Sequence, residues 1–389
     1  MDLLTTFAKI SANLPNILIK SRSADVDTGI PWDKERQELI GRVRWLCQEV
    51  IVSPDELIKK MPKELGRFYG GQWAIYSCCY TAVALANLCR IYPDIKEEML
   101  PKIEALIGLT DTPVIRYYDT MMWKEDAMDG LDGPNDHMTY LSLLAWAITH
   151  YKFAGGDSRF DNLLEACCQS LHRNMLFSHD LNLRSFPNAP IFLPDMLYTI
   201  VALHNYELLY NNGKHQDVLS RWMEKAQTVW LDKETGLLAS MLTQKLRKPK
   251  NKVRGSYTAL NCSLLAFCAN ESFSRNQYEL FKRLFVKKSP IFGIREYLDK
   301  SPMFSFDVDA GPILFGLSPS GTTFALGAAT WLGDWEMRSR LLRTASIVGD
   351  TIMDKAQKQC HYRLGEIVIC GEAVALGMRT MFNPQTLKK

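Results

Sequence analysis

The sequence predicts an all-α fold, and within that class six αα-hairpins closed into a toroid, an (α/α)6 barrel. Three observations carry this. Apolar residues recur at three- and four-residue intervals through nearly all the long segments, and period-two strand patterns are rare. Helices apolar on every face alternate with helices charged on one side, the pattern of inner and outer layers. Connections alternate too: inner-to-outer links are short (AGGDS, NNGKH, GD), and outer-to-inner links are long (53–72, 108–136, 178–193, 231–255, 288–319 and 350–365). An α-solenoid uses the same hairpins without closing, but it has a near-constant repeat and short loops at both ends. This chain has neither.

Taken in order, the periodicity predicts helices over 33–52, 73–91, 94–107, 137–154, 158–176, 194–210, 215–229, 256–270, 274–287, 320–332, 335–349 and 366–382. Segments 137–154, 256–270 and 320–332 are apolar and rich in small residues, so they read as inner helices. Segments 158–176 and 335–349 read as outer ones. Residues 1–32 form an N-terminal extension, and 33–389 form one barrel domain.

Composition narrows the function classes. The 389 residues are 47% hydrophobic and 23% charged, an ordinary globular balance, and the net charge of +3 gives no general pull toward nucleic acid or anionic membrane. The basic run KLRKPKNK, Lys245 to Lys252, reads as a solvated loop, with a phosphate or nucleic-acid contact as the minority reading. The N-terminus does not read as a signal peptide, and no stretch approaches the ~20 apolar residues of a membrane span. The ten cysteines show no CxxC or zinc-like spacing. The expectation is a cytoplasmic protein with buried thiols, no metal, no cofactor, no nucleic-acid partner and a small-molecule substrate; self-assembly is left open.

The long links all reach the end where the inner helices begin, which presents free N–H groups and the positive ends of helix dipoles. Loops this long in a compact domain are usually functional or disordered, and these carry aromatics and specific charges. The stretch from Met303 to Ala329 is the most pointed. Asp307 and Asp309 precede a Gly/Pro-rich loop and an apolar helix, and in extended chain they face opposite sides. The inward acid, with Asp309 preferred, would have its pKa raised and act as a general acid. An equal reading has the pair only fixing its own loop.

Other candidates line the same end. Tyr118, Asp119 and Trp123 precede His137, which opens an inner helix where the dipole favours a neutral imidazole. His137 or Asp119 is the expected partner of Asp309. Asp136 or Asn135 reads as a helix cap. The next link carries Arg184, Asn188 and Asp195. Arg184 would hold an anionic ligand or pair with a loop acid, and Asp195 reads more readily as a dipole or capping residue than as an acid. Ser256 reads as a cap, which turns Arg254 and Tyr257 toward the mouth. No serine sits in a nucleophile elbow.

Several stretches are similar to one family. Helix 73–91 runs into IYPD, YKFAGGDSRF follows an inner helix, and FPNAPIFLPDMLYTIVALHNYE, GSYTALNCSLLAF and DVDAG with FALGAATWLGDWEMRSRLL occupy corresponding positions. From about Gln72 onward the chain resembles linalool dehydratase/isomerase-like proteins, which are (α/α)6 barrels. The resemblance implies an acid/base lyase or isomerase acting on a small alcohol or isoprenoid-like substrate. It also implies two site cysteines before the third inner helix, but 183–195 contains none, and those positions fall near Arg184 and Leu193. A family tyrosine falls at Trp73. Carbohydrate-active (α/α)6 enzymes are the alternative, through the Trp123, Tyr118, Asp119 and Asp309 set. Class II terpene cyclases share only a partial match at DVDA. A non-catalytic ligand-binding or scaffold barrel is the remaining reading.

Overall fold

The computed structural model describes residues 27–62, 66–289, 291–299 and 304–385. Most of the expected extension, residues 1–26, lies outside them. The described chain is mostly helical. Its helices are α1 (Trp32–Val50), α2 (Pro54–Lys60), α3 (Gly66–Ile91), α4 (Lys96–Thr110), α5 (Pro113–Trp123), α6 (Met138–Phe153), α7 (Asp161–Phe177), α8 (Leu193–Tyr210), α9 (Gln216–Thr228), α10 (Gly255–Cys268), α11 (Glu271–Phe285), α12 (Pro319–Leu332), α13 (Trp335–Gly349) and α14 (Ile369–Thr380).

The apolar helices pack in sequence: α3 on α6, α6 on α8, α8 on α10, α10 on α12, α12 on α14, and α14 back on α3. Helices α4, α7, α9, α11 and α13 each pack on the apolar helix before them. Their one-sided character explains the layering: α11 buries Phe273, Tyr278, Phe281 and Phe285 and leaves its charged residues outside. The last apolar helix has no following partner. It packs instead on α1, from the other end of the chain. The expected sixth hairpin is therefore a pair built from both ends.

Buried charge joins that pair. Arg338 of α13 makes a two-pronged contact with Glu35 of α1, at 2.7 and 2.8 Å. Arg379 of α14 reaches Glu35 at 2.9 Å and Glu38 at 2.8 Å. Arg42 of α1 bridges Glu38 at 2.9 Å and Glu372 at 2.6 Å. Burial would raise Glu38, but Arg379 and Arg42 outweigh it and hold its carboxyl well below the ordinary range. Trp32 wedges edge-on against Trp335 and Phe382 beside this network. A cavity of about 250 Å³ opens here, lined by Lys34, Glu38, Trp335 and Arg338 among others. Its buried charges are paired with one another.

The sequence reading differs from the structure in the links. Helix α3 begins at Gly66, before the expected start at 73. Its opening GRFYGG has poor intrinsic helix propensity, yet the bare Gly71 lets α5 close in: a Cβ there would lie 2.5 Å from Tyr118 Cβ. Helices α2 and α5 fill links expected to be irregular. Others hold short antiparallel pairs: β1–β2–β3 (Ile191–Phe192, Met241–Leu242, Pro249–Lys250), β4–β5 (Val286–Lys287, Gly293–Ile294), β6–β7 (Phe304–Asp307, Gly311–Leu314) and β8–β9 (Thr351–Asp354, Gln359–Tyr362). Segment Tyr69–Ile91 is also long and apolar enough, by composition, to cross a membrane, contrary to the sequence reading. Of its most apolar window, 83% is buried inside the molecule as part of the inner layer.

The network gives a testable stability contribution. Removing one partner of a buried ion pair typically costs about 3–5 kcal/mol, whereas an exposed pair is worth roughly 0–1. Arg379→Ala should lower the denaturation midpoint strongly, and Arg159→Ala, on the exposed face of the molecule, should barely change it. Because Glu35 and Glu38 are held below their ordinary pKa of 4.5, this stabilisation is present above that pH and is lost as pH falls below it. Denaturation curves of both variants at pH 7 and pH 3.5 measure this; equal effects of the two substitutions would contradict it.

Candidate active site

Two clusters form where the apolar helices begin. The first gathers residues from five elements around Asp195. Asp195 sits in the first turn of α8 and keeps part of its surface open. Ser185 Oγ donates to its Oδ2 at 2.6 Å. Its charge is felt by Tyr76 of α3, Tyr118 of α5, Tyr198 of α8 and Tyr257 of α10. Loss of water raises the Asp195 carboxyl to about 6, and the charge of Asp309 adds to this. The capping role expected for Asp195 is corrected: its side chain accepts from the preceding loop instead.

Asp309 stands at the rim, in the β6–β7 turn. Tyr257 Oη donates to its Oδ2 at 2.6 Å. Its carboxyl is raised by partial loss of water and by Asp307, against the pull of Tyr257 and Arg254. Asp307 behaves as the loop-fixing member of the pair: its Oδ1 accepts from the Asp309 and Ala310 amides at 2.9 and 3.0 Å and lies 2.8 Å from Arg254 Nη2. Burial opposes the effect, but these partners hold its carboxyl below the ordinary range.

Arg254 is aimed by a residue the sequence reading missed. Glu296 is fully buried and accepts from Arg254 Nε at 2.6 Å, from Ser256 N at 3.1 Å and from Ser256 Oγ at 2.9 Å. Ser256 therefore does not cap α10; it donates to the Glu296 carboxylate that holds this helix end. The strap carrying Glu296 passes so close that a Cβ on Gly255 would fall 1.9 Å from the Arg295 carbonyl oxygen, so only glycine fits. The Arg254 guanidinium lies over the Tyr257 ring at 5.0 Å.

Next to Asp195 the space between the apolar helices is filled by aromatic side chains. Tyr76 stacks on Tyr80 with centroids 5.9 Å apart and meets Tyr198 edge-on at 6.0 Å. Tyr80 and Tyr198 share a hydroxyl hydrogen bond, and Trp146 packs against both. Tyr76 keeps accessible surface while the two tyrosines beneath it are buried. Burial pushes the Tyr76 and Tyr198 hydroxyls well above their ordinary pKa, so both remain protonated donors. Trp73, one turn earlier on α3, is partly open.

The second cluster lies behind Tyr118. His137 Nδ1 and Asp119 Oδ2 are 2.5 Å apart, with Glu125 3.3 Å from Nε2. Both His137 and Asp119 are buried, at 0% and 1% exposure. Burial opposes a charged ring, but Asp119 and Glu125 outweigh it and raise the His137 pKa. The two facing carboxylates thus act on the ring against the helix dipole and shift it toward the charged form, while burial raises Asp119 as well. His137 and Asp119 bond to each other rather than to Asp309, so the expected cross-mouth partnership is corrected.

Arg184 takes the loop-acid role, donating from Nε to Asp136 at 2.7 Å and lying over the Trp123 ring. Asp136 therefore does not cap α6, and Asn135 donates to Glu125. Trp123 and Tyr118 are buried at 6% and 2% and offer no open stacking wall. Asn188 is exposed, at a left-handed turn position. The described cysteines are free thiols, and Cys370, which lies near Tyr76 and Tyr80, is pushed up to about 12 by burial. No protein-family model matches the chain, and no curated protein matches it.

An acid whose folded-state pKa is raised destabilises the fold as pH climbs through that value. Asp195→Asn keeps an acceptor for Ser185 and cannot ionise. With its carboxyl raised to about 6, it should gain about 3 kcal/mol over the native chain at pH 8 and only about 1 kcal/mol at pH 4.5. Chemical denaturation at the two pH values measures this. A gain of equal size at both would place the Asp195 carboxyl in its ordinary range.

Proposed function

We propose that the chain is an (α/α)6-barrel enzyme that performs acid/base lyase or isomerase chemistry on a small alcohol or isoprenoid-like substrate held in the mouth. The closed order of helix contacts, α3 through α14 and back, supports the barrel. One observation carries the chemistry. Asp195 lies in the field of Asp309, and both carboxyls are raised, beside the tyrosine cluster of Tyr76, Tyr80 and Tyr198. An acid with a pKa of about 6 holds both protonated and ionised populations near neutrality, where proton transfer is most effective.

The roles follow from position. The Asp195 carboxyl gives its proton to the substrate hydroxyl, the C–O bond breaks, and water leaves with the bonding pair. Ionised Asp309 removes a proton from the neighbouring carbon, and that C–H pair becomes the double bond. Proton exchange between the two carboxyls restores the starting state. Adding water back at the other end of an allylic system gives isomerisation. Tyr76 and Tyr257 remain protonated and orient oxygen atoms, and the aromatic floor accepts the hydrocarbon part. The Trp123, Tyr118 and Asp119 set behind the carbohydrate reading is packed inside its loop, which leaves the alcohol reading better supported.

The test is gas chromatography of alkenes formed from a panel of short tertiary and allylic alcohols. The native chain should turn over at least one member, with rate falling as pH rises above about 6. Asp195→Asn should lose about 10²–10⁴-fold. Full turnover by folded Asp195→Asn would overturn the assignment, and so would a complete absence of alkene from the whole panel.

A further inference from the structure

We propose that the β2–β3 hairpin is a docking element for anionic lipid surfaces, a role that stands whether or not the mouth is catalytic. The hairpin spans 241–250 and hangs from the wall of the mouth. Ile191 and Phe192, which lead directly into α8 and Asp195, pair with Leu242 and Met241. Its turn is closed by Arg247 N donating to Thr243 O at 3.0 Å and Thr243 N donating to Lys248 O at 2.8 Å, with Arg247 in the left-handed region.

Two features meet at the tip. Leu246 is 70% exposed, an unusual position for a leucine at the end of a hairpin. It stands among Lys245, Lys248 and Lys250, all exposed, and 243–253 contains no acid. Lys248 and Lys250 flank the half-buried Pro249, so both side chains leave the body of the molecule. Among the described residues, three acids act on the cations of 245–252. Asp180 lies 3.4 Å from Arg247, Asp299 pairs with Lys252 at 2.7 Å, and Glu234 also acts on Lys252. They offset Arg247 and Lys252 and leave Lys245, Lys248 and Lys250.

The contact with Asp180 also brings in the end of α7, where Phe177 is 81% and Leu176 49% exposed. Lysines set around a protruding leucine, with Phe177 exposed on the neighbouring helix end, match an anionic bilayer surface: the ammonium groups meet headgroups and the apolar side chains enter the acyl boundary. A nucleic acid would use the lysines but has no use for Leu246 and Phe177, and the hairpin's one arginine is already engaged by Asp180. Docking here would set the mouth beside the bilayer, from which an apolar substrate could enter directly.

Vesicle co-sedimentation of the full chain tests this, using phosphatidylcholine vesicles with and without phosphatidylglycerol. Binding is expected only to the anionic vesicles and should be strongly reduced in 0.5 M salt, roughly three to four times physiological ionic strength. The triple variant Lys245→Glu, Lys248→Glu, Lys250→Glu should bind at least about tenfold more weakly. Leu246→Ser should weaken binding at low salt while leaving the salt dependence in place. Circular dichroism melts confirm that the surface variants fold. Absence of binding to anionic vesicles overturns the proposal, as does unchanged binding by the folded triple variant. So does lysine-dependent binding to duplex DNA without vesicle binding, which would reassign the lysines.

Discussion

The buried ion network between α1, α13 and α14 closes what the chain cannot close locally. Every other pair of inner and outer helices is joined by a short turn, so its members find each other cheaply. Among the described residues, the last apolar helix is covered by α1, and Arg379 reaches Glu38 across 341 residues of sequence. Hydrophobic contact supplies affinity there, through Trp32 against Trp335 and Phe382, but it is non-directional. The two-pronged Arg338–Glu35 contact is directional and fixes how α1 seats. If α1 shifted, the partner of α14 would be lost, and α14 contributes Cys370 beside Tyr76 and Tyr80.

That arrangement brings helix N-termini and acidic side chains to one end, where two effects compete at Asp195. The dipole of α8 favours the charged carboxylate, by about 0.3–1 kcal/mol near a helix end. That is less than one pKa unit at roughly 1.4 kcal/mol per unit. Loss of water and the field of Asp309 act the other way and are larger, since the carboxyl stands at about 6. At Asp307 the balance reverses, because two amides and Arg254 meet the charge directly. Asp195 and Asp307 thus acquire opposite characters from their surroundings.

Much of the fold was legible because helix periodicity and the alternation of link lengths are local signals. All twelve expected helices form, with boundaries displaced by a few residues apart from the early start of α3. The displacements have physical causes: the GRFYGG opening of α3 and the whole of α5 are stabilised by packing on each other rather than by their own propensity. The candidate site was legible only by neighbourhood. Asp309, Tyr257 and Arg254 were found because acids and aromatics stood out in long links. Asp195 was undervalued, since the first turn of a helix is a common place for a capping acid. Tyr76 and Tyr80 had a signal, two tyrosines four residues apart on an apolar helix. Glu296 had none, because its role depends on a strap crossing a helix forty residues away in sequence.

The central claim is that the mouth holds a carboxyl poised near neutrality, and carboxyl titration by carbon-13 NMR on the folded chain tests it most directly. One aspartate should titrate near pH 6, vanish from the spectrum in Asp195→Asn, and move to lower pH in Asp309→Asn as the neighbouring charge is removed. If every aspartate of the native protein titrates in its ordinary range near 3.8, the mouth contains no such acid and the account of the site is wrong.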